Sequence, residues 1–110
     1  MSSERKARIA YNESAFRDLN ESLARDVHRG RTQREYAGFV CECGNPECED
    51  VIRVPLDAYE SIRGDSQLFF AVRGHEEPDA EDVVDGNDRY VVVRKHEDVA
   101  GIAQRTDPRS

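Results

Sequence analysis

The first clear pattern along the chain is an apolar stripe at helical spacing. Ile9, Phe16, Leu19, Leu23 and Val27 recur at steps of seven, three, four and four, and neither Pro nor Gly interrupts the sequence before Gly30. This spacing predicts one amphipathic helix over residues 3–28. Within it, NESAFRDL at 12–19 is echoed by NESLARDV at 20–27. Eight residues is not a helical period, so the echo drifts round the helix and reads as a helix-forming duplication rather than a repeat architecture. Asn12 falls on the heptad seam of Ile9, Phe16 and Leu23, where a polar residue can set the register of a helix pair. The seam therefore offers a homodimer contact; the plainer reading is an Asn at the edge of an ordinary packed helix.

Residues 29–37 (RGRTQREYA) are polar and read as a linker. The period then changes from helical to alternating. Gly38 to Cys43 and Val51 to Val54 read as two strands, with Gly44-Asn45-Pro46-Glu47 as a turn between them. Pro55 suits the start of a short helix in which Leu56, Tyr59 and Ile62 share a face, and Gly64 suits its end. Residues 68–73 (LFFAVR) predict a buried strand, 80–84 a short helix, 85–88 a turn, 90–94 (YVVVR) a last strand, and the tail from Glu97 a helical turn or two. The expected fold class is α+β: a long N-terminal helix and a small, mostly antiparallel sheet of about four strands crossed by one short helix. The division is a helix and linker at 1–37 and an α+β unit at 38–110.

Composition limits what such a chain can bury. Of 110 residues, 37% are hydrophobic and 35% charged, with no Trp. A domain this small and this polar benefits from a metal staple or a partner. The formal charge of -7 disfavours a polyphosphate ligand, whose affinity comes from Lys and Arg neutralising phosphates, and favours a protein partner. Two local stretches stand out. Arg25, His28, Arg29, Arg31 and Arg34 form the most basic one, either a solvated linker or a contact for nucleic acid or a ribonucleoprotein. Residues 76–88 hold seven carboxylates and no Lys or Arg, either a solubilising loop or a docking surface for a basic partner. No apolar run reaches the ~18 residues of a membrane span, and MSSERKARIA lacks the apolar stretch of a signal peptide, so a cytoplasmic location is expected.

The strongest chemical signal is Cys41-x-Cys43-x4-Cys48. Alternate residues of a strand project to one side, so Cys41 and Cys43 can present both sulfurs to one point, and the Gly-Asn-Pro turn returns Cys48 to it. Three thiols in a reducing compartment suit Zn2+, which takes four N or S donors in a tetrahedron. His28, His75 and His96 are the candidates for the fourth place, with solvent or a carboxylate as alternatives. His75 is preferred, because it follows Gly74 at the end of a predicted strand expected beside the Cys strands in one sheet. A closed Cys3His set is structural. With His75 outside it, a hydrolytic zinc with Glu47 or Glu49 as base becomes the reading. A Cys–His nucleophile pair is a weaker option, because no orienting group or oxyanion loop stands out.

Cys-x-Cys followed by Pro46-Glu47-Cys48 and a later His resembles the three-Cys, one-His iron–sulfur motif of the CDGSH family. That family places Asp-Gly and His directly after the third Cys, whereas Glu49-Asp50-Val51-Ile52 follows here. A fuller resemblance is to a group of small actinobacterial proteins of unknown function. It is carried by YNESAFRDLNE, FVCECGNPEC, LDAYESIR, FFAVRGHE, YVVV and TDPR, which span most of the chain. Arg73 stands where that group has a proline before Gly-His. The resemblance implies a metal site that includes His75, and it implies no reaction. The function expected from the sequence is a zinc-binding protein-interaction or regulatory module, with a nucleic-acid or ribonucleoprotein binder, and a zinc-dependent hydrolase if His75 is not a ligand, as the alternatives.

Overall fold

The computed structural model describes residues 3–27 and 35–109, the Val27 side chain excepted. His28, Arg29, Arg31 and Arg34 lie outside the described residues, so of the basic stretch only Arg25 is placed; its guanidinium donates to Ser22 Oγ. The elements are α1 (Ser3–Val27), β1 (Tyr36–Val40), β2 (Val51–Pro55), α2 (Leu56–Arg63), β3 (Leu68–Val72), β4 (Glu81–Gly86), β5 (Tyr90–Lys95) and α3 (Glu97–Arg105). The α+β class and the long N-terminal helix are as expected.

Two expectations are corrected. The single sheet is two: β1 pairs with β2, and β3-β5-β4 form a second, with every pairing antiparallel. The reason lies at the end of β1. After Val40 the chain leaves its partner strand and crosses to β3, where the Glu42 N–H donates to the Phe70 carbonyl. Residues 80–84 are not a helix. Glu81–Gly86 pairs with β5 from Glu81↔Lys95 to Gly86↔Val91, with a bulge between Val83 and Asp85. The β-branched Val83 and Val84 suit a strand, and pairing with β5 overrides a weak local helix preference. Gly64 does close α2, but with φ -65 rather than in the left-handed region.

The main core lies where the inner face of β1–β2 meets α2 and one face of β3–β5. Phe39 stacks on Tyr59 at 4.3 Å, and Phe70 meets both rings edge-on. A smaller cluster of Phe69, Val91, Val93 and Ala103 joins the other face of β3–β5 to α3.

The packing of α1 departs from its apolar stripe. Ile9 is buried, but Phe16 and Leu23 are only half-buried and Leu19 is 47% exposed. The buried face is turned roughly 100° round the helix, about one residue step, to Ala10, Glu13, Ser14, Arg17, Asn20, Glu21 and Ala24. Polar chemistry chose this face. Arg17 donates to the Ser66 and Ala103 carbonyls and lies over the Phe69 ring. Glu21 accepts from Tyr59 Oη and pairs with Arg63 and Arg109. Lys95 pairs with both Glu13 and Glu81, all three essentially without solvent contact. One ammonium facing two carboxylates leaves excess negative charge in a dry place. Burial first, and the neighbouring Glu81 second, hold the Glu13 carboxyl well above the usual carboxylate range.

A proton kept on Glu13 makes Gln its near-isostere. Glu13→Gln is therefore expected to stay within about 1 kcal/mol of wild type, whereas Lys95→Met, which strands buried carboxyl charge, is expected to cost about 3–5 kcal/mol. A raised folded-state pKa contributes stability that is complete below the ordinary carboxylate value and lost as pH rises through the folded one. Wild type should accordingly lose stability over that rise and Glu13→Gln should lose less, as denaturant unfolding at a series of pH values will register.

Candidate metal centre

Four donor atoms, one each from Cys41, Cys43, Cys48 and His75, all lie within 4.8 Å of one another. His75 Nδ1 is 3.5 Å from Cys41 Sγ and 3.7 Å from Cys48 Sγ. A tetrahedral ion with metal–sulfur bonds of about 2.3 Å and metal–nitrogen bonds of about 2.05 Å separates S from N by roughly 3.6 Å. The cluster has the donor set and the size to hold one metal ion.

Each donor arrives by a different local device. Cys41 and Cys43 sit just past β1, not within it, on the segment that crosses to β3. They still share a side, because Glu42 between them points the other way into the core. Cys41 is held from both flanks. Its N–H donates to the Asp50 carbonyl, and its sulfur accepts the Val72 N–H at 3.3 Å. Asn45 builds the turn, its side chain accepting from the Glu47 N–H and its carbonyl from the Cys48 N–H. His75 follows a turn closed by its own N–H to the Val72 carbonyl. Gly74 in that turn has φ +94, the only left-handed conformation among the described residues.

Helix α1 clamps this segment at both ends, using the two halves of its internal echo. Asn12 donates to the Gly44 carbonyl. Eight residues on, Asn20 accepts the Val40 N–H, donates to the Val40 carbonyl and donates to Glu42. Glu42 in turn accepts the Phe70 N–H. Its complete burial pushes its pKa up to about 7. The helix can come this close because Gly44 has no side chain; a Cβ there would meet Ile9 at 2.9 Å.

The electrostatics of the sulfurs call for a cation. A hydrogen bond from the Cys41 thiol draws Cys43 down to about 5. Sharing that proton with Cys43, and burial, drive Cys41 well above the ordinary thiol range, and burial also raises Cys48. One sulfur ionises by keeping protons on its neighbours. Two thiolates about 4 Å apart repel by roughly 4 kcal/mol at an effective dielectric near 20, so three can coexist only around positive charge.

Of the histidines considered for the fourth place, His75 is in the cluster. His96 is engaged elsewhere, its Nε2 3.1 Å from Asp82, and His28 is outside the described residues. Glu47 and Glu49 are exposed and do not belong to the cluster. The carboxylate that approaches is Asp50, whose Oδ2 lies 3.6 Å from His75 Nε2. That is too long for a direct hydrogen bond. Sequence reasoning missed Asp50, Asn12 and Asn20 as supports of the site. The usable signals were Asp50 two residues beyond Cys48 in extended chain, and the repeated Asn-Glu-Ser of the echo. The acidic stretch lies partly beside the site, where Glu76 accepts the Gly74 N–H.

Compared with known proteins, the chain matches no family model, no curated protein and no solved structure. The resemblance to small actinobacterial proteins therefore rests on the motifs alone, and the geometry bears out its grouping of His75 with the three cysteines.

Three substitutions separate these supports. Gly74→Ala meets open space but forces Ala to a positive φ, at an expected cost of about 1–2 kcal/mol. Asn20→Ala leaves Glu42 and the Val40 amide short of partners, at an expected cost of about 2–4 kcal/mol. Asn12→Ala, which loses one bond at the rim, should cost about 1 kcal/mol. Denaturant unfolding of the three variants checks this order.

Proposed function

We propose that this chain is a small zinc-binding protein of the cytoplasm, with a structural Cys3His site, that acts as a protein-interaction or regulatory module. The observation that carries the zinc reading is the convergence of three sulfurs and one imidazole nitrogen within 4.8 Å, with two sulfur–nitrogen distances of the length a tetrahedral ion requires. Zinc favours this donor set and imposes no geometry beyond the tetrahedron. With His75 as fourth donor no coordination position is left for water, so the ion would staple rather than catalyse. Cys41, Cys43, Cys48 and His75 would hold it. It would tie the end of β1, the turn before β2 and the turn after β3, joining the two sheets where the chain crosses between them.

The interaction reading is supported by what surrounds the site. The groups around the donors, among them the Asp50 carbonyl, the Val72 N–H and Asn45, hold them in place. No described helix is long and apolar enough to cross a membrane. The net charge continues to favour a protein partner over a nucleic acid.

Elemental analysis of the purified protein should find one zinc per chain and a colourless solution. Cys41→Ser and His75→Ala should each lose tight zinc binding and lower Tm, and a chelator should unfold the wild type. Visible absorption from an iron–sulfur cluster, or a metal-free protein that is fully stable, would overturn the zinc reading. Undiminished zinc in His75→Ala would instead support an open, hydrolytic site.

A further inference from the structure

Among the described residues, no helix covers the outer face of β1–β2. The β1–β2 register places Tyr36, Gly38 and Val40 opposite Pro55, Arg53 and Val51 on one side, while Ala37, Phe39, Ile52 and Val54 point into the core. Val51 is 66% exposed and Tyr36 42%. Across from them, at the β3–β5 end, lie the half-buried Val72 and the exposed Arg73 and Arg89. A groove of about 480 Å³ runs between Val51, Arg53, Val72 and Arg89. A second hollow of about 230 Å³ continues it toward Tyr36 and Pro55 and shares Arg53 and Arg89 with the first. The trough is apolar along its floor and cationic along its walls.

Among the described residues some arginines pair with carboxylates and others, Arg8, Arg25 and Arg105 as well as those of this face, do not. Arg63, Arg94 and Arg109 each pair with a carboxylate, in a protein with 23 acidic and 16 basic residues. Among the described residues, Arg53, Arg73 and Arg89 have no carboxylate partner. Arg73 donates to the Asn87 carbonyl and Arg89 lies over the Tyr36 ring. The carboxylates nearby are Asp88, which lines the smaller hollow, and Asp50, which is directed at His75. The adjoining edge also carries no strand: among the described residues β2 pairs only with β1. One charge is enough to guard an edge strand against aggregation. Two of these arginines, Arg53 and Arg89, line both hollows over an apolar floor, and in an acidic protein this convergence is better explained by an occupant that brings negative charge and apolar side chains.

We infer that this face, the outer side of β1–β2 with its Arg53–Arg89 trough, docks an extended acidic peptide segment of a partner protein. The inference rests on the interaction-module reading and gives it a place and a ligand chemistry. Apolar side chains of the segment fill the floor over Val51 and Val72, and alternating Asp or Glu residues meet the arginines. The β2 edge supplies backbone partners in the manner of strand addition. A nucleic acid fits less well, because Tyr36, the exposed aromatic of this face, is already covered by Arg89 and the floor offers apolar contact where phosphates would lie.

The test uses the zinc-loaded full chain and a displayed library of short random peptides. Enriched peptides should combine Asp or Glu with apolar residues. Their synthetic versions should bind Arg53→Glu/Arg89→Glu roughly tenfold or more weakly, and Arg8→Glu on α1 unchanged. The double variant changes exposed side chains only, so its zinc content and Tm should match wild type and its own selection should turn to basic peptides. Failure to enrich any peptide, or binding indifferent to the charge reversal, overturns the proposal. Selected peptides that map to α1 or the acidic strand overturn this face while leaving the interaction reading standing. Retained zinc with no peptide binding separates it from the metal reading. Oligothymidylate binding that disappears in the double variant would assign the face to polyphosphate instead.

Discussion

Three sulfur atoms and an imidazole lie within 4.8 Å of one another, and they can all carry ligating charge together only around a cation. Much of the fold is arranged around that constraint. The chain leaves β1 early, crosses to β3 and turns back under Asn45, which brings donors from three separated segments to one point. The Val72 amide on Cys41 and the left-handed turn at Gly74 are useful only if that point is held. An ion there would offset the repulsion among the sulfurs and would also supply cohesion that a chain with 37% hydrophobic residues is short of.

The long helix answers the same shortage in another way. Burial of Phe16, Leu19 and Leu23 would have been the simpler use of α1. It instead turns Glu13, Arg17, Asn20 and Glu21 inward, where they meet carbonyls, an ammonium and two further arginines. Buried ion pairs of this kind add little net stability, since desolvation offsets most of the attraction, but each is costly to break. They therefore fix where the helix sits more than how strongly it holds. That placement matters to the metal centre, because Asn12 and Asn20 grip the backbone on either side of the cysteine pair.

What the sequence made legible follows from this division. Strand alternation and turn residues located β1, β2, β3 and β5, because those signals are local. The cysteine spacing located the donors for the same reason, and Gly74 marked the one turn among the described residues that needs a positive φ. The buried face of α1 was not legible, since its partners Lys95, Arg63 and Arg109 come from the far end of the chain and periodicity counts only apolar residues. Strand β4 was hidden by its carboxylates, of which Glu81 finds Lys95 only once the strand has paired. Splitting of the sheet into two was likewise set by a long-range event, the crossing of Glu42 to Phe70, which leaves no mark on local pattern.

A closed Cys3His centre requires all four donors to bind one ion together. X-ray absorption at the zinc edge measures this directly on the purified protein. It should give three sulfurs at about 2.3 Å and one nitrogen at about 2.0 Å, with no oxygen neighbour. A shell with fewer than three sulfurs, or with an oxygen in place of the imidazole, would contradict a closed Cys3His centre and the structural role built on it.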